Sequence, residues 1–181
     1  MFTIRKARPY IEMLRSQLGE PTRAAEVGVW QGSMSRQLLR SFPELELLMV
    51  DRYCKYNKAS HDARLSKMTQ LEFDGALSYA VSSTSKHAAR RIVMVGDSLK
   101  VCQEIKLESL DFVFIDADHS YEAVKKDIPN WKKTVRKGGI VSGHDYSPRH
   151  RGVCQAVDEF CAEHGYSLNH LPQCIWWVKN D

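Results

Sequence analysis

The sequence predicts a doubly wound α/β protein built on a mostly parallel sheet. Short aliphatic runs alternate with segments of helical period along most of the chain, which is the pattern of strands joined by crossover helices. The cleanest strand, residues 111–116, has an unbroken apolar centre, so we expect helices to cover both of its faces. Four of the first five strands end in an acidic residue, at the edge where such sheets bind ligands.

Length and composition predict a single domain over residues 1–181, with an N-terminal helix in 1–20 and the α/β core in 21–181. Hydrophobic residues make up 43% and charged residues 27%, which excludes a disordered chain. The net charge of +4 does not demand nucleic acid as a partner. No apolar run could span a membrane, and none resembles a secretory signal. The five Cys lack a C-x-x-C spacing, so we expect reduced thiols and a cytoplasmic location.

The elements follow in order from local signals. The first helix, 2–18, carries Ile11, Leu14 and Leu18 on one face and ends at Gly19. Strands are predicted at 23–30, 45–50, 92–95 and 111–116, and a fifth opens at 140–141. Helices are predicted at 33–41, near 63–81, at 99–105, at 121–135 with a kink or restart at Pro129, and at 152–164. Gly138 and Gly139 are expected to end the helix that begins at 121. Strands at 166–171 and 174–178 are expected to close the fold as a hairpin.

The residues at the strand ends suggest a binding site. Gly28 and Gly32 lie between the first strand and its helix, in the order Glu26-Val-Gly-Val-Trp30-Gln-Gly-Ser33, and would let backbone approach a ligand. This spacing is neither the dinucleotide fingerprint nor a phosphate-binding loop. Asp51 ends the second strand, where a carboxylate can accept ribose hydroxyls, although it could also serve as a turn residue.

The later strands end in further polar groups. Asp97 and Ser98 follow the third strand, where a helix N-cap is the plainer explanation. Asp116 ends the fourth strand, with His119 three residues on, and His144-Asp145 ends the fifth. The joint placement of these residues is more informative than any one of them.

The motifs Glu26-x-Gly-x-x-x-Gly32, Gly96-Asp-Ser98, Phe114-Ile-Asp-Ala-Asp-His-Ser-Tyr-Glu122 and Gly143-His-Asp-Tyr146 resemble a class I S-adenosylmethionine-dependent methyltransferase. Within that superfamily, they are similar to the small metal-dependent O-methyltransferases of sugars, antibiotics and other natural products. The resemblance covers roughly residues 22 to 179. It implies a Rossmann-like, seven-stranded sheet whose last strand is antiparallel.

The resemblance also implies roles for individual residues. Those assigned to S-adenosylmethionine are Glu26, Gly28, Trp30, Gly32, Ser33, Asp51, Asp97, Ser98 and Asp116. The divalent metal, Mg²⁺ or Mn²⁺, would be held by Asp116, His144 and Asp145, although some relatives have an acidic or Asp-Asn pair in place of His144-Asp145. His119 would be the general base.

The expected reaction is methyl transfer to a hydroxyl oxygen of a small molecule, such as a sugar, a phenol or a natural product. Trp30, Tyr53, Tyr56 and His61 are candidates to line the acceptor pocket. One alternative is an RNA methyltransferase of the same fold, suggested by basic residues between Lys125 and Lys137 and around His150. Another is a cofactor-binding relative without catalysis. We expect no nucleic-acid or membrane partner, and a homo-oligomer stays open.

Overall fold

The structure is a computed structural model in which residues 4–55 and 65–181 are described. Within these ranges, seven strands form one sheet in the order β3-β2-β1-β4-β5-β7-β6. Strands β1 to β5 pair in parallel, and β7 is antiparallel to both β5 and β6. This arrangement confirms the predicted α/β fold with its antiparallel last strand. The strands are β1 (Arg23–Val27), β2 (Glu46–Asp51), β3 (Arg91–Val95), β4 (Leu110–Ile115), β5 (Val135–Gly143), β6 (Asn169–Leu171) and β7 (Ile175–Asn180).

Helices cover both faces of the sheet, because successive side chains of its central strands point to opposite sides. In β4, Phe112 and Phe114 pack into one core with the first three helices, whereas Val113 and Ile115 pack into the other core with the last three. The helices are α1 (Ile4–Leu18), α2 (Ser33–Ser41), α3 (Gln70–Ser83), α4 (Ser98–Glu104), α5 (Tyr121–Lys132) and α6 (Arg151–His164). No helix within the described ranges is long and apolar enough to cross a membrane.

The largest error in the predicted elements lies between α5 and β5. The helix ends at Lys132 rather than 135, and the strand already begins at Val135. Gly138 and Gly139 therefore lie within β5 instead of ending the helix. A Cβ at Gly139 would lie 2.6 Å from the carbonyl oxygen of Asp111, so the glycine is needed where β5 passes the irregular start of β4. The helix itself runs through Pro129 without a restart.

Other boundaries shift by a few residues. The strand predicted at 23–30 ends at Val27, because the chain turns through positive φ at Gly28 and Trp30. The helix predicted near 63–81 spans Gln70–Ser83 and begins with a capping box between Thr69 and Glu72, while 56–64 lie outside the described residues. The closing hairpin is confirmed, with a turn over 172–174 in place of 172–173.

Candidate active site

The carboxyl ends of the parallel strands border a cavity of about 620 Å³. Every residue that the sequence predicts for the cofactor, the metal or the general base lines this cavity except Gly32. These residues are Glu26, Gly28, Trp30, Ser33, Asp51, Asp97, Ser98, Asp116, His119, His144 and Asp145. The fold therefore brings together polar groups that are up to 119 residues apart in the sequence.

The two glycines of the β1–α2 loop have different surroundings. A Cβ at Gly28 would lie 2.0 Å from the carbonyl oxygen of Asp116, and its φ of +91° is one that other residues rarely adopt. A Cβ at Gly32, the N-cap of α2, would lie 3.3 Å from Ala80 of α3, and Gly32 does not line the cavity. Packing within the fold thus explains both glycines, whereas their spacing in the sequence suggested the approach of a ligand.

Asp51 at the end of β2 organises the loop that follows β1. Its Oδ2 accepts a hydrogen bond from the backbone N–H of Trp30 at 2.8 Å, and its Oδ1 accepts one from the N–H of Tyr53 at 3.0 Å. The Tyr53 hydroxyl in turn donates to the carbonyl oxygen of Trp30 at 2.8 Å. Tyr53 is consequently buried and does not line the cavity, contrary to the prediction for the acceptor pocket. Trp30 does line it, and Tyr56 and His61 lie outside the described residues.

Glu26 is a buried carboxyl beneath the cavity. Only 2% of the residue is exposed, and its Oε2 accepts a short hydrogen bond from the Ser35 hydroxyl of α2. Burial raises the pKa of Glu26 well above its usual range, and the nearby charges of Asp116 and Asp51 raise it further. Glu26 is therefore a group that binds a proton more readily than an ordinary carboxylate.

A polar network that the sequence analysis missed joins α4 to α5. Asp97 is the N-cap of α4, one of the two roles that the sequence allowed for it. Its carboxylate accepts hydrogen bonds from the N–H groups of Leu99 and Lys100. The Ser98 hydroxyl donates to Oδ1 of Asp127 at 2.7 Å and accepts from the indole N–H of Trp131 at 2.8 Å. Asp127 lines the cavity as well.

Asp127 could have been found from the sequence. It falls at helical spacing among Val124, Ile128 and Trp131, which form the buried face of α5, and a carboxyl on an apolar face calls for a partner. Its burial raises its pKa to about 6, with help from the charges of Asp97 and Asp118.

Two carboxylates and three imidazoles meet beside the cavity, and all but one of them line it. His119 Nε2 lies 3.0 Å from Asp145 Oδ2 and 3.6 Å from Asp116 Oδ1. His144 Nδ1 lies 3.1 Å from Asp145 Oδ1 and 3.5 Å from Asp116 Oδ1. His150 Nε2 lies 3.6 Å from Asp145 Oδ1, a neighbour that the sequence analysis assigned only to a basic surface cluster. We refer to these five side chains as the Asp/His cluster.

The local backbone places Asp116, His144 and Asp145 at the cavity. The N–H of Asp116 bonds to the carbonyl of Val27, and that of His144 bonds to the carbonyl of Ile115, which continues the strand pairing by one residue. Asp145 then adopts a φ of 60°, which is uncommon for a residue other than glycine and turns the chain out of β5. Such strained conformations are concentrated at functional sites.

The side chains of the Asp/His cluster shift one another's pKa values. Burial disfavours the charged form of His144, but hydrogen bonding to Asp116 and Asp145 outweighs it and raises its pKa to about 10. Burial also opposes the imidazolium form of His119, yet the same two carboxylates raise its pKa overall. Burial would raise the pKa of Asp145, but the neighbouring imidazoles, His144 first, lower it. The two carboxylates thus favour positive charge beside them, whether an imidazolium or a cation carries it.

The donor set fits a divalent cation. One group of donors within 4.8 Å of one another is Asp116, His144 and Asp145, the set that the resemblance implies. The buried Nε2 of His119 forms no well-aligned hydrogen bond among the described residues, despite its approach to Asp145, although buried ring nitrogens are normally satisfied. Carboxylate oxygens suit Mg²⁺ or Mn²⁺, and imidazole nitrogens extend the range to other transition ions.

The sheet order and the acid-lined cavity at its carboxyl edge are those of the class I S-adenosylmethionine-dependent methyltransferases, which confirms the resemblance seen in the sequence. A family model described as a methyltransferase domain matches residues 25–146, about two thirds of the chain. The chain therefore belongs to this methyltransferase family.

Solved structures share the fold at low sequence identity. An O-methyltransferase from Bacillus cereus in complex with SAH is 18% identical, with a TM-score of 0.68, and the match covers 99% of this chain and 82% of that one. The O-methyltransferase TomG from Streptomyces achromogenes, involved in tomaymycin synthesis and in complex with SAM, is 15% identical with a TM-score of 0.67, covering 100% and 82%. Cofactor-bound Rv0187 from MTB is 13% identical with a TM-score of 0.71, covering 99% and 81%. No match was found among the curated proteins.

Proposed function

We propose that the protein transfers the methyl group of S-adenosylmethionine to a hydroxyl oxygen of a small molecule, with the help of a divalent cation. The observation that carries this proposal is that four of the five side chains of the Asp/His cluster, all but His150, line the same cavity as Asp51 and Asp97. A cofactor bound at Asp51 and Asp97 would therefore share one cavity with the catalytic groups. The complexes of the B. cereus enzyme with SAH and of TomG with SAM support the choice of cofactor.

The cofactor would lie along the strand ends. Asp51 uses each carboxylate oxygen for one backbone N–H, and each oxygen keeps a lone pair that can accept from a ribose hydroxyl. The adenine would lie beside Asp97, Ser98 and Asp127, at the start of α4. The methionine part would reach the β1–α2 loop near Gly28 and Ser33, over the buried Glu26.

Asp116, His144 and Asp145 would hold the cation. When bound, a divalent ion supplies positive charge that lowers the pKa of a nearby hydroxyl and so makes it a better nucleophile. Residues of two adjacent strand ends, β4 and β5, fix the three donors, so their separation is set by the sheet and not by a flexible loop.

His119 would take the acceptor's proton. An oxygen lone pair attacks the methyl carbon, the carbon–sulfur bond breaks with its electrons going to sulfur, and the hydroxyl proton passes to Nε2 of His119. That nitrogen is buried and forms no well-aligned hydrogen bond among the described residues. The charges of Asp116 and Asp145 raise the pKa of His119. With these charges offset by a bound cation, the neutral imidazole that a base requires would be favoured. Alignment of the oxygen with the methyl–sulfur bond can contribute roughly 7 kcal/mol or more.

Metal depletion tests this proposal. We expect EDTA to abolish methyl transfer from S-adenosylmethionine to a panel of catechols, phenols and hexoses, and added Mg²⁺ or Mn²⁺ to restore it. Asp145→Ala should behave like the chelated enzyme, because it removes a carboxylate that faces both His119 and His144.

His119→Ala should reduce turnover by roughly 10²–10⁴ while binding of the demethylated cofactor is kept. The matched control is His170→Ala, which removes an exposed imidazole outside the cavity. Turnover that survives complete metal removal would contradict the role of the cation. A His119→Ala enzyme as fast as the wild type would contradict the role of the base.

A further inference from the structure

A second group of donors lies beside the proposed cation site and shares Asp145 with it. His119, Asp145 and His150 each offer one ligand atom, and these atoms lie within 4.8 Å of one another. Neither the reaction proposed above nor the sequence motifs use His150. We refer to these three side chains as the histidine triad.

The position of His150 is not explained by a structural role at the helix it precedes. It occupies the N-cap of α6, but its side chain makes no capping hydrogen bond. Instead its Nε2 points toward Asp145 Oδ1, at 3.6 Å, and its ring meets that of His119 edge to face with centroids 5.0 Å apart. On the other side of Asp145, His119 Nε2 lies 3.0 Å from Oδ2.

These separations suit one shared ion. Metal–ligand bonds of about 2.0–2.2 Å place neighbouring ligand atoms roughly 3–3.6 Å apart. The nitrogen–oxygen distances in the triad, 3.0 and 3.6 Å, fall in this range. The geometry of His119 Nε2 is a second sign: among the described residues it forms no well-aligned hydrogen bond, even to Asp145 Oδ2 at 3.0 Å, as expected when two atoms point to a shared ion rather than to each other.

Two imidazoles and one carboxylate favour a first-row transition ion over Mg²⁺, which prefers oxygen ligands and keeps its water. We infer that the histidine triad is a second cation site, selective for Zn²⁺ or a similar transition ion, and that its occupation prevents methyl transfer. The inhibition rests on the proposed function, because it follows from the use of His119 as a ligand: its Nε2 cannot coordinate an ion and accept a proton at the same time.

Binding can be measured without any enzyme activity. Metal-free protein is titrated with Co²⁺, whose visible absorption reports nitrogen ligands, and the Co²⁺ is then displaced by Zn²⁺. We expect His150→Phe to weaken Co²⁺ binding at this site by at least tenfold, whereas His144→Phe, which removes the one imidazole of the other donor group, should leave the absorption band in place. His170→Phe is the matched control, because it removes an exposed imidazole elsewhere.

Retention of the wild-type Co²⁺ band and affinity in His150→Phe would overturn the inference, and so would loss of the band in His144→Phe with the band kept in His150→Phe. Equal binding of S-adenosylhomocysteine by all variants shows that they are folded.

Activity provides the second measurement. With saturating Mg²⁺, micromolar Zn²⁺ should inhibit the wild type, and His150→Phe should need at least tenfold more Zn²⁺ for the same inhibition. Equal inhibition of the two would overturn the inhibitory role. If no variant transfers methyl groups at all, the proposed function fails, while the Co²⁺ titration still decides whether the triad binds a metal.

Discussion

Gly28 is required by its neighbours in the sheet. A Cβ at this position would overlap the carbonyl group of Asp116, the residue that ends β4 and enters the Asp/His cluster. The β1–α2 loop and the end of β4 therefore approach more closely than any side chain would allow. The glycine sets the position of two parts of the site at once.

Gly28→Ala should destabilise the fold severely, because both the overlap and the positive φ oppose it. Gly75→Ala is the matched control: Gly75 is exposed within α3, and a Cβ there would have no other atom within 4 Å, so the change should stabilise by roughly 0.4–1 kcal/mol. Urea denaturation of both variants measures the difference. A Gly28→Ala protein as stable as the wild type would contradict the close approach described here.

Asp51 carries two roles, one in the loop and one proposed toward the cofactor. Asp51→Ala removes an acceptor whose charge-assisted hydrogen bonds contribute roughly 1.5–3 kcal/mol each. We expect the dissociation constant of S-adenosylhomocysteine, measured by calorimetry, to rise tenfold or more. Asp74→Ala, at an exposed position of α3, should leave it unchanged. Equal affinity of Asp51→Ala and the wild type would remove Asp51 from the cofactor site.

At the scale of elements, α4 and α5 are joined through the carboxyl of Asp127. The Ser98 hydroxyl connects this group to Trp131, whose ring is fully buried. The network holds the start of α4 against α5 at the edge of the cavity. Because Asp127 is buried, its ionisation in the folded protein is unfavourable.

This unfavourable ionisation predicts a pH dependence of stability. The pKa of Asp127 is about 6 in the folded protein, against roughly 3.9 when unfolded, so the folded state binds the proton more tightly. Its contribution to the free energy of unfolding is greatest at low pH and falls as the pH rises from about 4 to about 6. Asp127→Asn keeps an acceptor for Ser98 but has no proton to lose.

Relative to the wild type, Asp127→Asn should therefore gain stability across this range, by up to about 3 kcal/mol. Urea denaturation of both proteins at a series of pH values measures the difference. Asp74→Asn should show no such trend, since its side chain is exposed. A difference that stays constant, or falls with pH, would contradict the burial of Asp127.

At the scale of the whole molecule, the sheet and most of the site could be predicted because their signals are local. An apolar run followed by an acid marks a strand and its ligand-binding end at once, as at Asp51 and Asp116. The parallel topology then brings those ends together without further information. The boundary at Gly138–Gly139 was missed because glycine signals a turn in sequence, whereas here it serves the close passage of two strands.

His150 could not be predicted from its own surroundings. It follows a turn after β5 and stands between two arginines, which is typical of a solvated basic surface. Its place in the Asp/His cluster depends on the path of the chain between Asp145 and α6, which no local pattern specifies. The basic surface is itself partly neutralised: Lys125 pairs with Glu159 at 3.0 Å and Arg136 with Asp111 at 2.7 Å.

The most direct test of the central claim is a calorimetric titration of S-adenosylhomocysteine into the metal-free wild-type protein. We expect saturable binding of one equivalent, since Asp116 is the one residue assigned to both the cofactor and the cation, and the contacts proposed for Asp51 and Asp97 do not involve the cation. Binding should also raise the midpoint of thermal unfolding, by mass action on the folded state. The absence of saturable binding, with or without added Mg²⁺, would contradict the account, because the cavity at the strand ends would then not be a cofactor site.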